Sequence, residues 1–188
     1  MTNFSSLPSE VRRPLQARLS IDRNLPTELA HGIFAKPGTH EAVVRVAALP
    51  YPGMTIRFTS APAEKIDLYA PHQHHPMDQE YTSRLPVRFG NGIAKFALVP
   101  SSPALLAVKS HPFSAGDSSA LREAVRAFFE YNPAEFDLRI QLYSDADADP
   151  RTAAWLQDEP PYQTIGRLII PAIACNPAIT GLHTYAAA

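Results

Sequence analysis

Three closely spaced histidines are the strongest local indication of chemistry in this sequence. They lie in the segment HQHHP at 72–76. In an extended chain His72 and His74 point to the same side, because successive side chains alternate. Neutral imidazoles bind zinc, copper or iron, and a histidine moves protons near neutral pH. The segment therefore predicts acid–base catalysis or a metal site, to which Asp78 or Glu80 could add a carboxylate. The alternative is a solvated polar loop.

Two arginines lie within otherwise apolar stretches, Arg45 in EAVVRVA and Arg57 in MTIRFT. Arginine offers a planar fork of donors that matches a carboxylate. Both residues are therefore candidates for an anion clamp. The alternative is that they lie on the solvent-facing side of a sheet.

Other familiar sites are absent from the sequence. It contains no phosphate-binding GxxxxGK[ST] or GxGxxG, no GxSxG and no HExxH. The single cysteine, Cys175, excludes an intramolecular disulfide and a CxxC motif, and it fits a reducing compartment. A net charge of −1 with mixed signs offers no face for nucleic acid or membrane. The polar N-terminus lacks an apolar signal stretch, so we expect a cytoplasmic protein.

The elements that would position these residues are mostly strands. A length of 188 residues predicts a single domain, 1–188, with residues 1–13 as an N-terminal arm. The 19 prolines must divide it into short elements, since proline is excluded from helix interiors and central strands. Alternating or apolar β-branched runs predict seven strands. These are Leu15–Ile21, Glu41–Ala47, Met54–Thr59, Lys65–Ala70, Ile93–Val99, Phe136–Tyr143 and Thr164–Ile170.

One helix, Leu121–Phe129, is predicted from its apolar spacing and from capping residues at 117–119. Seven strands without βαβ alternation favour an antiparallel barrel or sandwich with this helix packed outside. In FDLRIQLY at 136–143, alternate residues predict one buried and one polar face. We expect five side chains to be buried: Phe128, Phe129, Leu138, Ile140 and Trp155.

Several segments together resemble the haem catalase superfamily, in particular its short, catalase-related branch. They are LPTELAHGIFAKPGTHEAVVRVAALPYPGMTIRF (25–58), KIDLYAPHQHHPM (65–77), AKFALVPSSPA (94–104) and the stretch from FDLRIQLY to IIPA (136–172). Their order and spacing carry the resemblance over roughly residues 14–172. It implies a mainly β fold, an antiparallel catalase-like β-barrel with one or two peripheral helices and haem at one side.

The resemblance also assigns roles to individual residues. Arg45 stands at the family's strand arginine, which implies a contact with a haem propionate. Pro76 matches the proline that follows the family's distal asparagine, and this places His74 at the distal position with His72 nearby. Tyr185, in GLHTYA, matches the tyrosine whose phenolate ligates the iron in catalases. We expect His74 and Arg45 to face the same cavity.

The sequence also departs from the family pattern, as a truncated and degenerate member would. Pro52 and Gly181 replace two of its arginines, and no histidine precedes His31, where the family keeps its distal histidine. Without that distal pair, rapid peroxide disproportionation is not expected. The resemblance then implies a small haem protein with peroxidase-like or hydroperoxide-transforming activity, with His74 and His72 catalytic and Tyr185 and Arg45 on the haem.

Two alternatives stay open at this point. The fold could be a haem-free enzyme of isomerase, dehydratase or cyclase type, with histidine as acid–base group toward an apolar small molecule. It could also be a non-catalytic binding subunit, although an enzyme is favoured. The expected partner is a small-molecule substrate or hydroperoxide, and a homo-oligomer whose second chain completes the site is allowed for. A Soret band would separate the first function from the other two.

Overall fold

The computed structural model of the chain describes residues 14–25, 27, 30–47, 53–61, 64–70, 75–90, 92–108, 118–143 and 160–173. Its strands are β1 (Leu15–Ile21), β2 (Gly38–Ala47), β3 (Gly53–Phe58), β4 (Lys65–Tyr69), β5 (Tyr81–Thr82), β6 (Val87–Phe89), β7 (Gly92–Pro100), β8 (Ala134–Tyr143) and β9 (Gln163–Ile170). Its α-helices are α1 (Pro103–Leu106) and α2 (Ser118–Tyr131), and 3-10 turns lie at Gly32–Ala35 and Pro76–Asp78.

Eight of these strands close into an antiparallel barrel. Along the sheet the order is β5-β4-β3-β2-β1-β9-β8-β7, and β5 also pairs with β7. The remaining strand, β6, is attached to β7 as a hairpin outside this closed ring. Every pairing is antiparallel. The predicted antiparallel barrel is confirmed.

The barrel forms because its strands alternate between an apolar and a polar side. Residues directly opposite each other on antiparallel strands share a face of the sheet. The inward pairs are apolar and buried, for example Val44 with Ile56 and Leu98 with Leu138. All seven predicted strands are present, with ends within three residues of those expected.

A 3-10 turn adds aromatic packing to this core. Phe34, in the turn Gly32–Ala35, lies with its ring centroid 5.2 Å from that of Phe89 and 5.7 Å from that of Phe96. Such edge-on and tilted contacts stabilise aromatic clusters beyond the area they bury. The described barrel interior is therefore a packed apolar core, and the polar side chains of its strands point outward.

The helix and burial predictions hold, with one refinement. Phe128, Phe129, Leu138 and Ile140 are buried, whereas Trp155 lies outside the described residues. Gln141 is on the outward face as predicted, but it is only 3% exposed. Its Nε2 donates a hydrogen bond to the Pro160 carbonyl at 2.7 Å, so the chain at Pro160 lies over the Gln141 side chain.

No helix within the described ranges is long and apolar enough to cross a membrane.

Two glycines that both pair with Ile21 provide a matched test of the barrel. A Cβ at Gly166 would collide with the Ser20 carbonyl and would lie 3.1 Å from the Ile21 Cα. At Gly38 the nearest atom, His40 Nε2, would be 3.8 Å away. We expect Gly166→Ala to lower the free energy of unfolding by about 1–3 kcal/mol, because backbone must shift.

Gly38→Ala is expected to change that free energy by less than about 0.5 kcal/mol. Urea titration of both variants beside the parent chain measures the difference. Equal effects of the two substitutions would contradict the strand spacing at β1 and β9.

Candidate functional site on the outer barrel face

One row of polar side chains crosses the outside of three neighbouring strands. Arg45 of β2 is directly opposite Thr55 of β3, and Thr55 is directly opposite Asp67 of β4. The three residues therefore share the outer face. Arg45 is exposed, and it forms no ion pair with any described residue. No described residue therefore neutralises its guanidinium by a direct contact.

The Asp67 carboxylate in this row already has two partners on the protein. Its carboxylate accepts a hydrogen bond from Thr55 Oγ1 at 2.9 Å and lies 2.6 Å from Lys65 Nζ. Partial burial acts to raise the pKa of Asp67, but the hydrogen bonds from Lys65 and Thr55 and the charges of Lys65 and Arg57 outweigh it, so the pKa is lowered. Asp67 therefore stays ionised, and it does not neutralise Arg45 by a direct contact.

The other arginines of the closed barrel show how different Arg45 is. Three of them are engaged in ion pairs along the outer face. Those pairs are Arg18–Glu41 at 2.9 Å, Arg139–Asp137 at 4.0 Å, and Arg167 with Glu135 at 3.4 Å and Asp137 at 3.6 Å. In the described part of the chain, Arg45 and Arg57 have no such partner. An exposed arginine without an ion pair is also what a solvent-facing position predicts, so the anion clamp stays a prediction.

The row next to Arg45 combines two small residues with one aromatic residue. Ala47, Gly53 and Tyr69 are opposite each other on β2, β3 and β4. The Tyr69 ring lies beside Gly53, with Cδ1 3.6 Å from where a Cβ would be, and Arg84 Cζ is 4.4 Å from the ring centroid. Gly53 is buried in this row, and the exposed aromatic surface there belongs to Tyr69.

The histidine segment is described only from His75 onward. His75 Nδ1 accepts a hydrogen bond from the Met77 N–H at 3.1 Å, and its ring is also hydrogen-bonded to the backbone of Ala124 in α2. Burial lowers the pKa of His75, and the nearby Asp78 charge and the Ala124 contact offset this only in part. His75 is thus a neutral, structural histidine that caps the turn Pro76–Asp78 and joins it to the helix.

The buried side chain of Tyr81 also holds the turn Pro76–Asp78 in place. The Tyr81 hydroxyl donates a hydrogen bond to the Pro76 carbonyl at 2.6 Å, and the residue is fully buried. Burial raises the pKa of Tyr81, so it remains a neutral phenol. The turn Pro76–Asp78 is therefore held in one place.

Three of the predicted site residues, His72, His74 and Tyr185, lie outside the described residues. Their roles, and the cavity that His74 and Arg45 were expected to share, stay predictions. No group of three histidine, cysteine, aspartate or glutamate side chains suited to a metal is found within the described ranges. Thr55 and Asp67 were missed from the sequence, although the outward phase of β3 and β4 contains both.

Comparisons with known proteins identify the fold. No protein-family model and no curated protein sequence matches the chain. Among solved structures, a fungal catalase aligns with a TM-score of 0.60 at 9% identity, covering 85% of this chain and 49% of the catalase. A bacterial catalase aligns with a TM-score of 0.57 at 10% identity, covering 85% and 47% respectively. The chain thus has a catalase-like fold and spans about half the length of these catalases.

The lowered pKa of His75 gives the fold a predictable response to acid. The neutral ring is favoured in the folded chain, so its stabilising effect is present above the unfolded pKa of about 6.5 and is lost as pH falls below it. We expect the parent chain to lose stability relative to His75→Asn between about pH 7 and pH 5. Asparagine keeps an acceptor for the Met77 N–H without a titrating ring.

Urea unfolding of both proteins at several pH values in this range measures the effect. The test is the difference between the two free energies, since other groups titrate equally in both chains. A pH-independent difference would show that His75 is not held neutral by its surroundings.

Proposed function

We propose that this chain is a haem-binding domain of catalase-like fold with peroxidase-like or hydroperoxide-transforming activity. The observation that carries the proposal is the exposed guanidinium of Arg45, which is unpaired among the described residues. The catalase-like barrel supports it at the level of the fold. Haem carries carboxylates, which a guanidinium binds well.

Arg45 would hold a haem propionate through charge-assisted hydrogen bonds, which arginine forms in a bidentate manner. Thr55 and Asp67 support this role indirectly. Their mutual hydrogen bond, together with Lys65, satisfies the Asp67 carboxylate and leaves the Arg45 donors free. Tyr185 would be the protein ligand of the iron, and haem when bound supplies the redox chemistry toward hydroperoxides.

His74 would provide the acid–base group in this proposal. A histidine with an ordinary pKa near 6.5 can take a proton from one oxygen of a hydroperoxide and deliver it to the other. His75 and Tyr81 serve this function by fixing the backbone that follows His74, through their bonds to Met77 and Pro76. His72 would be a second proton-transfer group on the same segment.

Haem binding is tested by titrating the purified chain with hemin and following the Soret band. The parent chain should bind hemin with a shifted Soret band. Arg45→Ala should weaken binding by about 10–100-fold, the usual effect of losing a hydrogen bond to a charged group. Arg45→Lys should retain part of the affinity because it keeps the charge. Tyr185→Phe should change the spectrum, since it removes the proposed iron ligand.

The matched control is Arg18→Ala, which removes another exposed barrel arginine but one that is paired with Glu41. Its hemin affinity should equal that of the parent chain. A parent chain that produces no Soret shift with hemin would overturn the proposal. Equal losses for Arg18→Ala and Arg45→Ala would remove Arg45 from the binding site.

The role of His74 is tested by turnover of an organic hydroperoxide by the hemin-loaded chain. His74→Ala should reduce turnover by about 10²–10⁴-fold, the range for loss of a general acid–base group. His75→Asn should leave turnover nearly unchanged, because asparagine keeps an acceptor for the Met77 N–H and the His75 ring has no proposed contact with the hydroperoxide. Turnover should vary with pH between about 5 and 8 in the parent chain and lose that dependence in His74→Ala. Unchanged turnover in His74→Ala would remove His74 from the mechanism.

A further inference from the structure

The strands of the closed ring are joined unevenly around the barrel. Between β7 and β8 the pairing includes every residue of β7 from Ile93 to Pro100. Between β4 and β5, in contrast, Tyr69 and Thr82 are the only paired residues in the described part of the chain. Because cross-strand pairs are the unit of sheet stabilisation, the β4–β5 junction is the weakest described link in the ring.

The other side of β5 is attached more firmly to its neighbour. Tyr81 and Thr82 both pair with β7, and the Ser83 N–H that follows donates a hydrogen bond to the Phe96 carbonyl at 2.9 Å. The Ser83 hydroxyl in turn accepts a hydrogen bond from the Phe96 N–H at 3.0 Å. An opening of the ring therefore leaves β5 on β7 and separates it from β4.

A contact between two side chains bridges the β4–β5 junction on the outer surface. Arg84, two residues after the end of β5, places its Cζ 4.4 Å from the centroid of the Tyr69 ring on β4. A guanidinium over the face of an aromatic ring is attracted by the ring electrons. Both side chains are exposed, so the contact forms at the rim of the barrel and not in its core.

The histidine segment is attached on both sides of this junction. Its N-terminal side continues from the end of β4, and its last residue, Pro76, begins the turn Pro76–Asp78. That turn is tied to β5, because the Tyr81 hydroxyl donates a hydrogen bond to the Pro76 carbonyl at 2.6 Å. The distance between β4 and β5 therefore sets the distance between the two ends of the segment that contains His72 and His74.

We propose that the barrel opens locally at the β4–β5 junction while the other strands stay paired, and that Arg84 holds the junction closed through its contact with Tyr69. Local openings of this kind occur where few interactions hold an element, and they need less free energy than global unfolding. Closure keeps the two ends of the histidine segment at a fixed separation. The inference goes beyond the proposed function and holds whether or not the chain binds haem.

Two adjacent amides distinguish local opening from global unfolding. The N–H groups of an antiparallel strand alternate between its two neighbours, so the Thr82 N–H points toward β4, whereas the Ser83 N–H is bonded to β7. Hydrogen exchange of both amides is followed by NMR at several low urea concentrations. The Thr82 amide should exchange about tenfold or more faster than the Ser83 amide after correction for intrinsic rates, and with a smaller urea dependence. Equal rates with equal urea dependence would show that the ring opens only when the whole chain unfolds.

Variants of the two stacked residues test the part assigned to Arg84. Arg84→Ala and Tyr69→Leu should each raise the exchange rate of the Thr82 amide by about two- to fivefold, the effect of losing an exposed cation–π contact. The double variant should exchange no faster than the single variants, because both remove the same contact. Arg84→Lys should restore part of the protection, since an ammonium group is also attracted to the ring face. The Ser83 rate should stay at the parent value throughout.

The matched control is Arg18→Ala, which removes another exposed cross-strand contact, the ion pair with Glu41, at a junction paired along all of β1. It should leave the Thr82 exchange rate unchanged. An unchanged Thr82 rate in Arg84→Ala would show that Arg84 does not hold the junction. Effects of Arg84→Ala and Tyr69→Leu that add in the double variant would contradict closure by their mutual contact.

Discussion

Closure of this barrel depends on the two residues of β5. Thr82 pairs with Tyr69 of β4, and Tyr81 and Thr82 pair with β7, so the ring of strands is completed at a single short crossing. Tyr81 strengthens that crossing because its buried hydroxyl donates to the Pro76 carbonyl at 2.6 Å. An unclosed barrel would expose two strand edges, which natural sheets avoid. The same bond fixes the chain next to the histidine segment, so closure and site geometry are linked.

The alternation of the strands separates stability from function. Inward side chains fill the core with apolar contacts, and outward side chains form ion pairs or remain free. Arg18, Arg139 and Arg167 form ion pairs on the outer face. Arg45 and Arg57 form none with a described residue. Because an exposed ion pair contributes little to stability, leaving an arginine unpaired costs the fold little.

Period-two patterning and apolar β-branched runs were enough to predict seven of the strands, and apolar residues at helical spacing predicted the helix. The shortest elements, β5, β6 and α1, were missed, since two to four residues carry no periodicity. The other residues of the site depend on the register in which the strands pair. Arg45 was noticed from its residue type, but Thr55 and Asp67 join it only through cross-strand pairing, which a single sequence does not display. His75 illustrates the same limit, since its contacts with Met77 and Ala124 depend on tertiary packing.

The low identity to catalases follows from the way this fold is held together. Cores tolerate extensive apolar substitution when volume and patterning are kept, so a barrel can persist at 9–10% identity. The same tolerance does not extend to a binding face, where a guanidinium must stand at a given register position. Fold and function therefore diverge at different rates in such a protein. In the proposed function, haem binding depends on Arg45, Tyr185 and the histidine segment, and the apolar side of the strands provides only the scaffold.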